Sequence, residues 1–449
     1  MDTRAIFKAY DVRGTYPDQL NEDVCRAVGS AFADFVGVPR VVVARDMRPS
    51  GVSLVKAFSE GVRVRGVDVV DIGLASTDLL YFATGHLGAP GAMFTASHNP
   101  AAYNGIKMCL SEARPIGTES GLADIEAATQ RYLASPAQGE LAALLHDDVV
   151  DAWVHHVHSF IDVSRLRPLR IVADAANGMG GFVAPRVFDG LPFEVDLMYP
   201  ELDGTFPNHP ADPLNPENLV DLQQRLVETG ADIGLAFDGD ADRVFLIDET
   251  GRPISGSTTT ALVAASMLEK NPGATILYNV ICSRAVPEII AERGGRGVRT
   301  RVGHSFIKQV MAETDAVFGG EHSGHYYFRD NYRADSGIIT AMLVLEMLSA
   351  FGGPLSEMVA PFERFAASGE INTRVESPTA TVRAISEHVR SEGAEVDEMD
   401  GLSAFFDGWW FNLRPSNTEP LLRLNVEARS QEECQRHTDT VVAWITSKS

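Results

Sequence analysis

The sequence predicts three similar three-layer α/β domains with mixed, mainly parallel sheets, followed by a smaller C-terminal α+β domain. Three observations carry that reading. At 449 residues the chain is too long for one ordinary hydrophobic core. A strand–turn–helix pattern recurs three times, and it stops near residue 368.

In chain order, Val41–Ala44 reads as a strand, followed by a turn over 45–50 and a helix from Val52 to about Arg65. Ile171–Asp174 is the second such strand, with a Gly-rich turn at Asn177–Gly181 and a helix to about Phe188. Thr275–Val280 and Ser283–Glu292 form the third pair. Each unit runs on to a short apolar strand that ends in a polar loop. Gly91–Phe94 leads to TASHNP (95–100), Ile233–Phe237 to DGDADR (238–243), and Ala316–Phe318 to GGEHSGH (319–325). Ligands of such sheets gather beyond the carboxyl ends of strands, where these loops stand. After residue 368, Val382–Glu392 and Gln431–Ile445 read as helices and Trp409–Leu413 and Leu421–Val426 as strands. A fourth polar loop, RPSNTEP (414–420), joins those two strands. The expected domains are 1–140, 141–250, 251–367 and 368–449.

Composition narrows the function. Apolar residues make up 45% and charged residues 22%, the balance of a folded chain. Lys and Arg number 38 against 61 Asp and Glu, a formal charge of −23 that repels nucleic acid and anionic lipid. An anionic metabolite would therefore need a local island of Arg and Lys. Cys25, Cys109, Cys282 and Cys434 lie far apart, which argues against a disulfide framework or a thiolate metal site. The N-terminus lacks a signal-peptide core, and no uncharged apolar run approaches the ~18 residues of a bilayer span. A cytoplasmic protein is expected.

Each loop carries a candidate chemistry. Ser97, among small neighbours after a buried-looking strand, reads as a nucleophile, a phosphoryl carrier or a plain turn residue. The adjacent His98 adds nothing if the chain is extended there, because neighbouring side chains then point to opposite faces. Asp238, Asp240 and Asp242 alternate with small residues, so they can converge on one hard cation, and the lack of Cys or His nearby favours Mg2+ over Zn2+; a solvated acidic turn is the alternative. A calcium loop is excluded because its sixth position, normally Gly, is Arg243. Glu321 and Ser323 suit sugar hydroxyls, although a polar turn fits as well. Arg414, Ser416, Asn417 and Thr418 could cradle a phosphate or form an exposed hairpin turn. Two other features read as structural: Asn177-Gly-Met-Gly-Gly as close packing, and His155, His156 and His158 as the solvated surface of a helix.

Taken together and in this order, the four loops closely resemble the α-D-phosphohexomutase superfamily over essentially the whole chain, and GEHSGH with RPSNTEP looks most like its phosphomannomutase/phosphoglucomutase branch. Phosphoglucosamine mutases usually carry Gln at the place of His322 and Gly at that of Asn417. The resemblance implies a heart-shaped, four-domain enzyme whose domains each lend a loop to a central cleft. It implies that Ser97 becomes a phosphoserine and that Asp238, Asp240, Asp242 and a Ser97 phosphoryl oxygen bind one Mg2+. It further implies sugar contacts by Glu321, His322 and Ser323, and a phosphate site of Arg414, Ser416, Asn417, Thr418 and Arg423. Tyr10, Arg13 and Lys107 match further active-site positions, as do Arg243 beside the metal and His304 and Lys308 in RVGHSFIK. Ala241 departs from the family, where Gly is common.

The implied activity interconverts mannose, and with it glucose, 6- and 1-phosphates through a sugar 1,6-bisphosphate that serves as intermediate and activator. Lys107 is a candidate base if neighbouring cations lower its pKa. The implied partners are hexose phosphates, with no nucleic acid or membrane, and the chain is a monomer or weak dimer. A phosphoglucosamine mutase, a non-catalytic phosphosugar-binding protein and an aspartyl phosphatase acting through Asp238 are the alternatives.

Overall fold

A computed structural model describes residues 3–416 and 421–448. The chain falls into two compact units, one of Met1–Ile254 with Ser323–Ser356, the other of Ser255–His322 with Glu357–Ser449.

In the first unit, six strands share a sheet: β1 (Val12–Thr15), β2 (Arg40–Arg45), β3 (Asp68–Leu74), β4 (Gly91–Phe94), β5 (Tyr103–Cys109) and β6 (Leu144–His146). Their order is β1-β5-β4-β2-β3-β6, parallel from β4 to β6 and antiparallel at β5 and β1. A second sheet holds β7 (Leu169–Asp174), β8 (Phe193–Met198), β9 (Ile233–Phe237), β10 (Val244–Asp248) and β11 (Pro253–Ile254) in the order β11-β10-β9-β7-β8. β4 and β9 are buried along their whole length, as their apolar runs dictate. Phe58, on the helix Gly51–Arg63, packs on Phe94 with ring centroids 5.3 Å apart and so fixes the end of β4 from which the serine loop departs.

In the second unit, β12 (Thr275–Asn279) pairs in parallel with β13 (Arg296–Thr300) and β14 (Phe318–Gly320). β15 (Tyr326–Phe328) and the helix Gly337–Phe351 belong to the first unit. The C-terminal sheet is antiparallel throughout, with β16 (Ala366–Arg374), β17 (Glu395–Asp397), β18 (Leu402–Phe406), β19 (Trp409–Pro415) and β20 (Leu421–Ala428) in the order β16-β20-β19-β18-β17. Helices Pro378–Ser391 and Gln431–Lys448 accompany it, the α+β composition expected.

The recurrence lies in topology more than in sequence. Sets β2-β3-β4, β7-β8-β9 and β12-β13-β14 each put the first strand in the middle, the second on one side and the third on the other. In each set the third strand ends in the polar loop. The second strands of these sets, β3, β8 and β13, mix part-exposed and polar residues into their apolar runs, so their periodicity does not announce them in the sequence.

The histidine helix departs from expectation. Trp153 and Val157 of Val150–His158 are buried as the apolar stripe requires, but His156 and His158 are half-buried and hydrogen-bonded within the protein, not free on a solvated face. His156 Nε2 lies 3.0 Å from Asn331 Oδ1, and His158 Nε2 lies 2.7 Å from the Val187 carbonyl oxygen. This helix has neighbours on several sides (Thr77–His86, Gly180–Phe188 and Gly337–Phe351), whereas an amphipathic reading assumes one buried face. Among the described residues no single helix is long and apolar enough to cross a membrane.

Candidate active site

Ser97 leaves β4 in a left-handed turn, with φ at 49°, and is 5% exposed. Its backbone N–H donates to Thr95 Oγ1 at 2.9 Å, and its hydroxyl donates to Asp238 Oδ2 at 2.8 Å. Because the chain is turned here, the side chains of Ser97 and His98 come to the same side, with Oγ 3.2 Å from His98 Nδ1. The expectation of opposite faces held only for an extended strand. Arg243 Nη2 donates to the same His98 nitrogen at 2.6 Å. Burial, reinforced by Arg243 and Arg13, drives the His98 pKa down to about 2, so the ring stays neutral and its Nδ1 accepts.

Asp238, Asp240 and Asp242 are all buried between β9 and β10. The loop is seated by the Asn177–Gly181 turn, whose Met179 N–H donates to the Gly239 carbonyl at 2.9 Å. A Cβ on Gly178 would come within 2.7 Å of that carbonyl oxygen, so the glycines here do serve close packing. Thr77 grips Asp240 twice, through Oγ1 to Oδ2 at 2.5 Å and through its N–H to the backbone carbonyl at 3.1 Å. Ala241 has φ at 57°, so this position does require the left-handed region, where a side chain costs on the order of 1–2 kcal/mol.

Two cations meet the three carboxylates. Lys107 Nζ, on β5, lies 2.7 Å from both Asp240 Oδ2 and Asp242 Oδ2, and Arg243 Nε lies 2.9 Å from Asp238 Oδ2. One negative charge stays uncompensated. Burial disfavours the Lys107 ammonium, but Asp240 and Asp242 outweigh it and hold its pKa well above the ordinary lysine value. That corrects the expectation of a lysine depressed by neighbouring cations: its nearest neighbours are anions. Burial likewise pushes the Asp238 carboxyl up against the pull of Arg243, while for Asp240 the contacts of Lys107 and Thr77 overcome burial and lower it. One oxygen from each of the three carboxylates lies within 4.8 Å of the others. Oδ1 of Asp240 and Oδ1 of Asp242 are buried with no hydrogen-bond partner among the described residues. Two buried acceptors without donors are what a cation seat looks like before the cation is counted.

Arg13, on β1, reaches this group through the serine loop, donating from Nη1 to Asn99 Oδ1 at 2.7 Å. Tyr10 is half-buried just before β1. Sequence reasoning missed His325, the last residue of the third loop. Its Nδ1 lies 2.8 Å from Asp335 Oδ2 and 3.9 Å from Asp242 Oδ1, and although burial opposes it, these carboxylates raise its pKa. Ser323 is half-buried in the same unit.

The second unit holds the other candidates. Glu321 is 2% exposed and accepts from Asn279 Nδ2 at 3.2 Å, at the carboxyl end of β12. His322 Nδ1 lies 2.9 Å from Ser257 Oγ, and burial lowers its pKa, with Glu370 and Arg414 within electrostatic range. Lys308 is buried on the helix His304–Thr314. Arg414 belongs to β19 and stands directly opposite Arg423 of β20, so it is a strand residue and no part of an exposed loop. Glu370, which the sequence did not single out, lies 3.3 Å from Arg414 and 3.4 Å from Arg423. Ser416 N–H donates to the Leu421 carbonyl at 2.8 Å. The side chain of His304, and Asn417 and Thr418, lie outside the described residues.

Comparisons with known proteins point one way. Family models described as phosphoglucomutase/phosphomannomutase match in four successive parts: alpha/beta/alpha domain I over 4–135, domain II over 151–251, domain III over 255–365, and the C-terminal domain over 370–443. A protein of Xanthomonas campestris pv. campestris named for phosphohexose mutases is 43% identical over 430 residues, 95% of this chain and 96% of that one. A phosphomannomutase of Escherichia coli K12 is 40% identical over 437 residues, covering 96% of each chain. The crystal structure of a phosphoglucomutase/phosphomannomutase family protein from Burkholderia thailandensis superposes with a TM-score of 0.89 at 34% identity, over 100% of this chain and 98% of that one.

Proposed function

The chain belongs to the phosphoglucomutase/phosphomannomutase family, and from that premise we propose that it is a phosphohexose mutase, interconverting the 6- and 1-phosphates of mannose and glucose through a phosphoserine and a sugar 1,6-bisphosphate. The observation that carries the reading is the Ser97 hydroxyl, turned by its left-handed backbone onto a buried cluster of three carboxylates and two cations.

In this reading Ser97 Oγ is the phosphoryl carrier. The phosphorus–Oγ bond breaks as the oxygen of a sugar hydroxyl bonds to phosphorus, that hydroxyl giving up its proton while Oγ takes one up, and the reverse step reloads the serine from the other phosphate. The proton that Oγ gives up on reloading already lies in its 2.8 Å hydrogen bond to Asp238. Arg243 holds that carboxylate and His98 in place, and Arg13 braces the loop through Asn99. Lys107, kept as an ammonium by two carboxylates, offsets charge; we do not assign it the base. The unpartnered oxygens of Asp240 and Asp242 support one Mg2+ held by Asp238, Asp240, Asp242 and an oxygen on Ser97. Bound there, it would offset the negative charge of the transferred group.

Glu321, His322, Ser323, Lys308 and His304 are proposed to face the sugar. Arg414, Arg423, Ser416, Asn417 and Thr418 are proposed to hold the non-reacting phosphate, and Tyr10 to line the approach. We propose four domains at 1–140, 141–250, 251–367 and 368–449, and a cytoplasmic monomer or weak dimer whose charge of −23 disfavours nucleic acid and membrane partners.

The test is a coupled assay on mannose, glucose and glucosamine phosphates with Mg2+ and trace sugar bisphosphate. Turnover of the mannose and glucose phosphates supports the proposal. Turnover of glucosamine phosphate alone makes the protein a phosphoglucosamine mutase, and saturable binding without turnover makes it a phosphosugar-binding protein.

A further inference from the structure

Arg48 lies in the turn after β2 and, like its 3.3 Å ion-pair partner Asp46, has no exposed surface. Its guanidinium is directed at one short stretch of backbone. Nη1 donates to the carbonyls of Pro100 and Tyr103 at 2.9 and 2.8 Å, and Nη2 to those of Ser97 and Asn99 at 2.9 and 2.6 Å. A rigid planar fork can satisfy four carbonyls at once only if they converge, so the serine loop is held curled around it.

The second sheet's loops press on the same place. A Cβ on Gly239, inside the Asp loop, would come within 2.4 Å of the Ser97 carbonyl oxygen, and one on Gly204 within 2.6 Å of Arg48 Cα. The Phe206 ring lies under the guanidinium, 5.1 Å away. The Ser97 peptide is thus clamped between Arg48 and the loop that carries the carboxylates. Ser97 itself has φ at 49°, a conformation that a non-glycine residue keeps only when its surroundings impose it.

We propose that Arg48 is a positioning residue for phosphoryl transfer: by binding the carbonyls of Ser97, Asn99, Pro100 and Tyr103 it holds Ser97 in its left-handed turn, with Oγ facing Asp238. It touches neither substrate nor the transferred group, and it acts through the backbone of the serine. The inference rests on the reading of Ser97 as phosphoryl carrier.

The experiment compares the wild type with Arg48→Lys, which keeps the charge opposite Asp46 but not the fork, and with the neutral pair Asp46→Asn/Arg48→Met. Each is assayed on glucose 1-phosphate with glucose 1,6-bisphosphate and Mg2+, alongside a thermal melt and the rate of Ser97 phosphorylation by the bisphosphate. A misplacement of about 1 Å at the reacting atom costs about 100-fold. The expected result is a fall of about that size in kcat and in serine phosphorylation in both proteins, with KM within about 3-fold and cooperative melts retained. Wild-type kcat in either variant overturns the proposal. So does a kcat loss that merely tracks lost melting temperature, or failure of both variants to fold, since Arg48 would then serve stability alone. If wild-type Ser97 itself takes no phosphate, the carrier reading fails first, and that outcome is distinct from the others.

Discussion

Ser97 Oγ and Asp238 Oδ2 are joined by a 2.8 Å hydrogen bond across 141 residues of sequence. The contact links the loop after β4 to the loop after β9, two equivalent places in sets of strands with the same order. It gives the serine a defined direction, toward the carboxylates. Intact-mass analysis of the purified protein should therefore show a fraction about 80 Da heavier, mapping to Ser97. Ser97→Ala should lose that fraction and nearly all turnover while melting as the wild type does. Phosphate found elsewhere, with Ser97 bare, would remove the serine from the mechanism.

Much of this site is legible in the sequence because each polar loop follows a short apolar run. β4 and β9 coincide with the expected strands Gly91–Phe94 and Ile233–Phe237, so Ser97 and the three aspartates fall where the reading put them. What the sequence hides is contact at a distance and backbone sign. Arg48 looks like one more turn residue, and only the fold closes it on a loop about fifty positions later. The left-handed turn at Ser97 has no glycine to signal it, which is why His98 looked irrelevant. The direction of the Lys107 shift depended on which charges the fold would bring nearest, and they were Asp240 and Asp242.

Lys107 supplies a second prediction. Its ammonium bridges two buried carboxylates that would otherwise repel one another and offsets part of their charge. Lys107→Gln should lower the metal-free melting temperature, since breaking a buried pair costs on the order of 3 kcal/mol. Added Mg2+ should then raise the melting temperature more than it does for the wild type, because ligand binding restores the missing positive charge. Equal Mg2+-induced shifts in the two proteins would mean that the lysine and the metal do not share these carboxylates.

His209 is expected to make stability depend on pH. Nε2 lies 2.9 Å from Asp174 Oδ2 and Nδ1 lies 2.9 Å from the Pro210 carbonyl oxygen, so two acceptors face one ring and both bonds form only in the imidazolium. Burial opposes the charge, but Asp174 outweighs it and raises the pKa above the ordinary 6.5. A raised folded-state pKa gives stability that is full below about 6.5 and is lost as pH climbs through the higher folded value. His209→Gln should thus be less stable than the wild type at pH 6, and the gap should narrow toward pH 9. Denaturant melts of both proteins across that range check the sign, and a gap that widens with pH would contradict it.

Arg414 and Arg423 face each other directly across β19 and β20, an arrangement in which like charges repel. Glu370, 3.3 and 3.4 Å from them, offsets the repulsion. A pair of guanidiniums held by one carboxylate is a seat that a phosphate, with more charge and more acceptor oxygens, can take over. If Arg414 holds the non-reacting phosphate, Arg414→Ala removes a charge-assisted hydrogen bond worth roughly 1.5–3 kcal/mol, or about 10- to 100-fold in kcat/KM. The loss should appear from either the 1-phosphate or the 6-phosphate, because the bisphosphate must present each phosphate to this seat in turn. Stability should move little. The Arg414–Glu370 pair is part-exposed, at 14% and 31%, so it is worth about 1 kcal/mol at most, and removing one arginine also relieves the other. Steady-state kinetics in both directions beside a thermal melt decide the matter, and wild-type kinetics in either direction would leave Arg414 a strand residue with no part in phosphate binding.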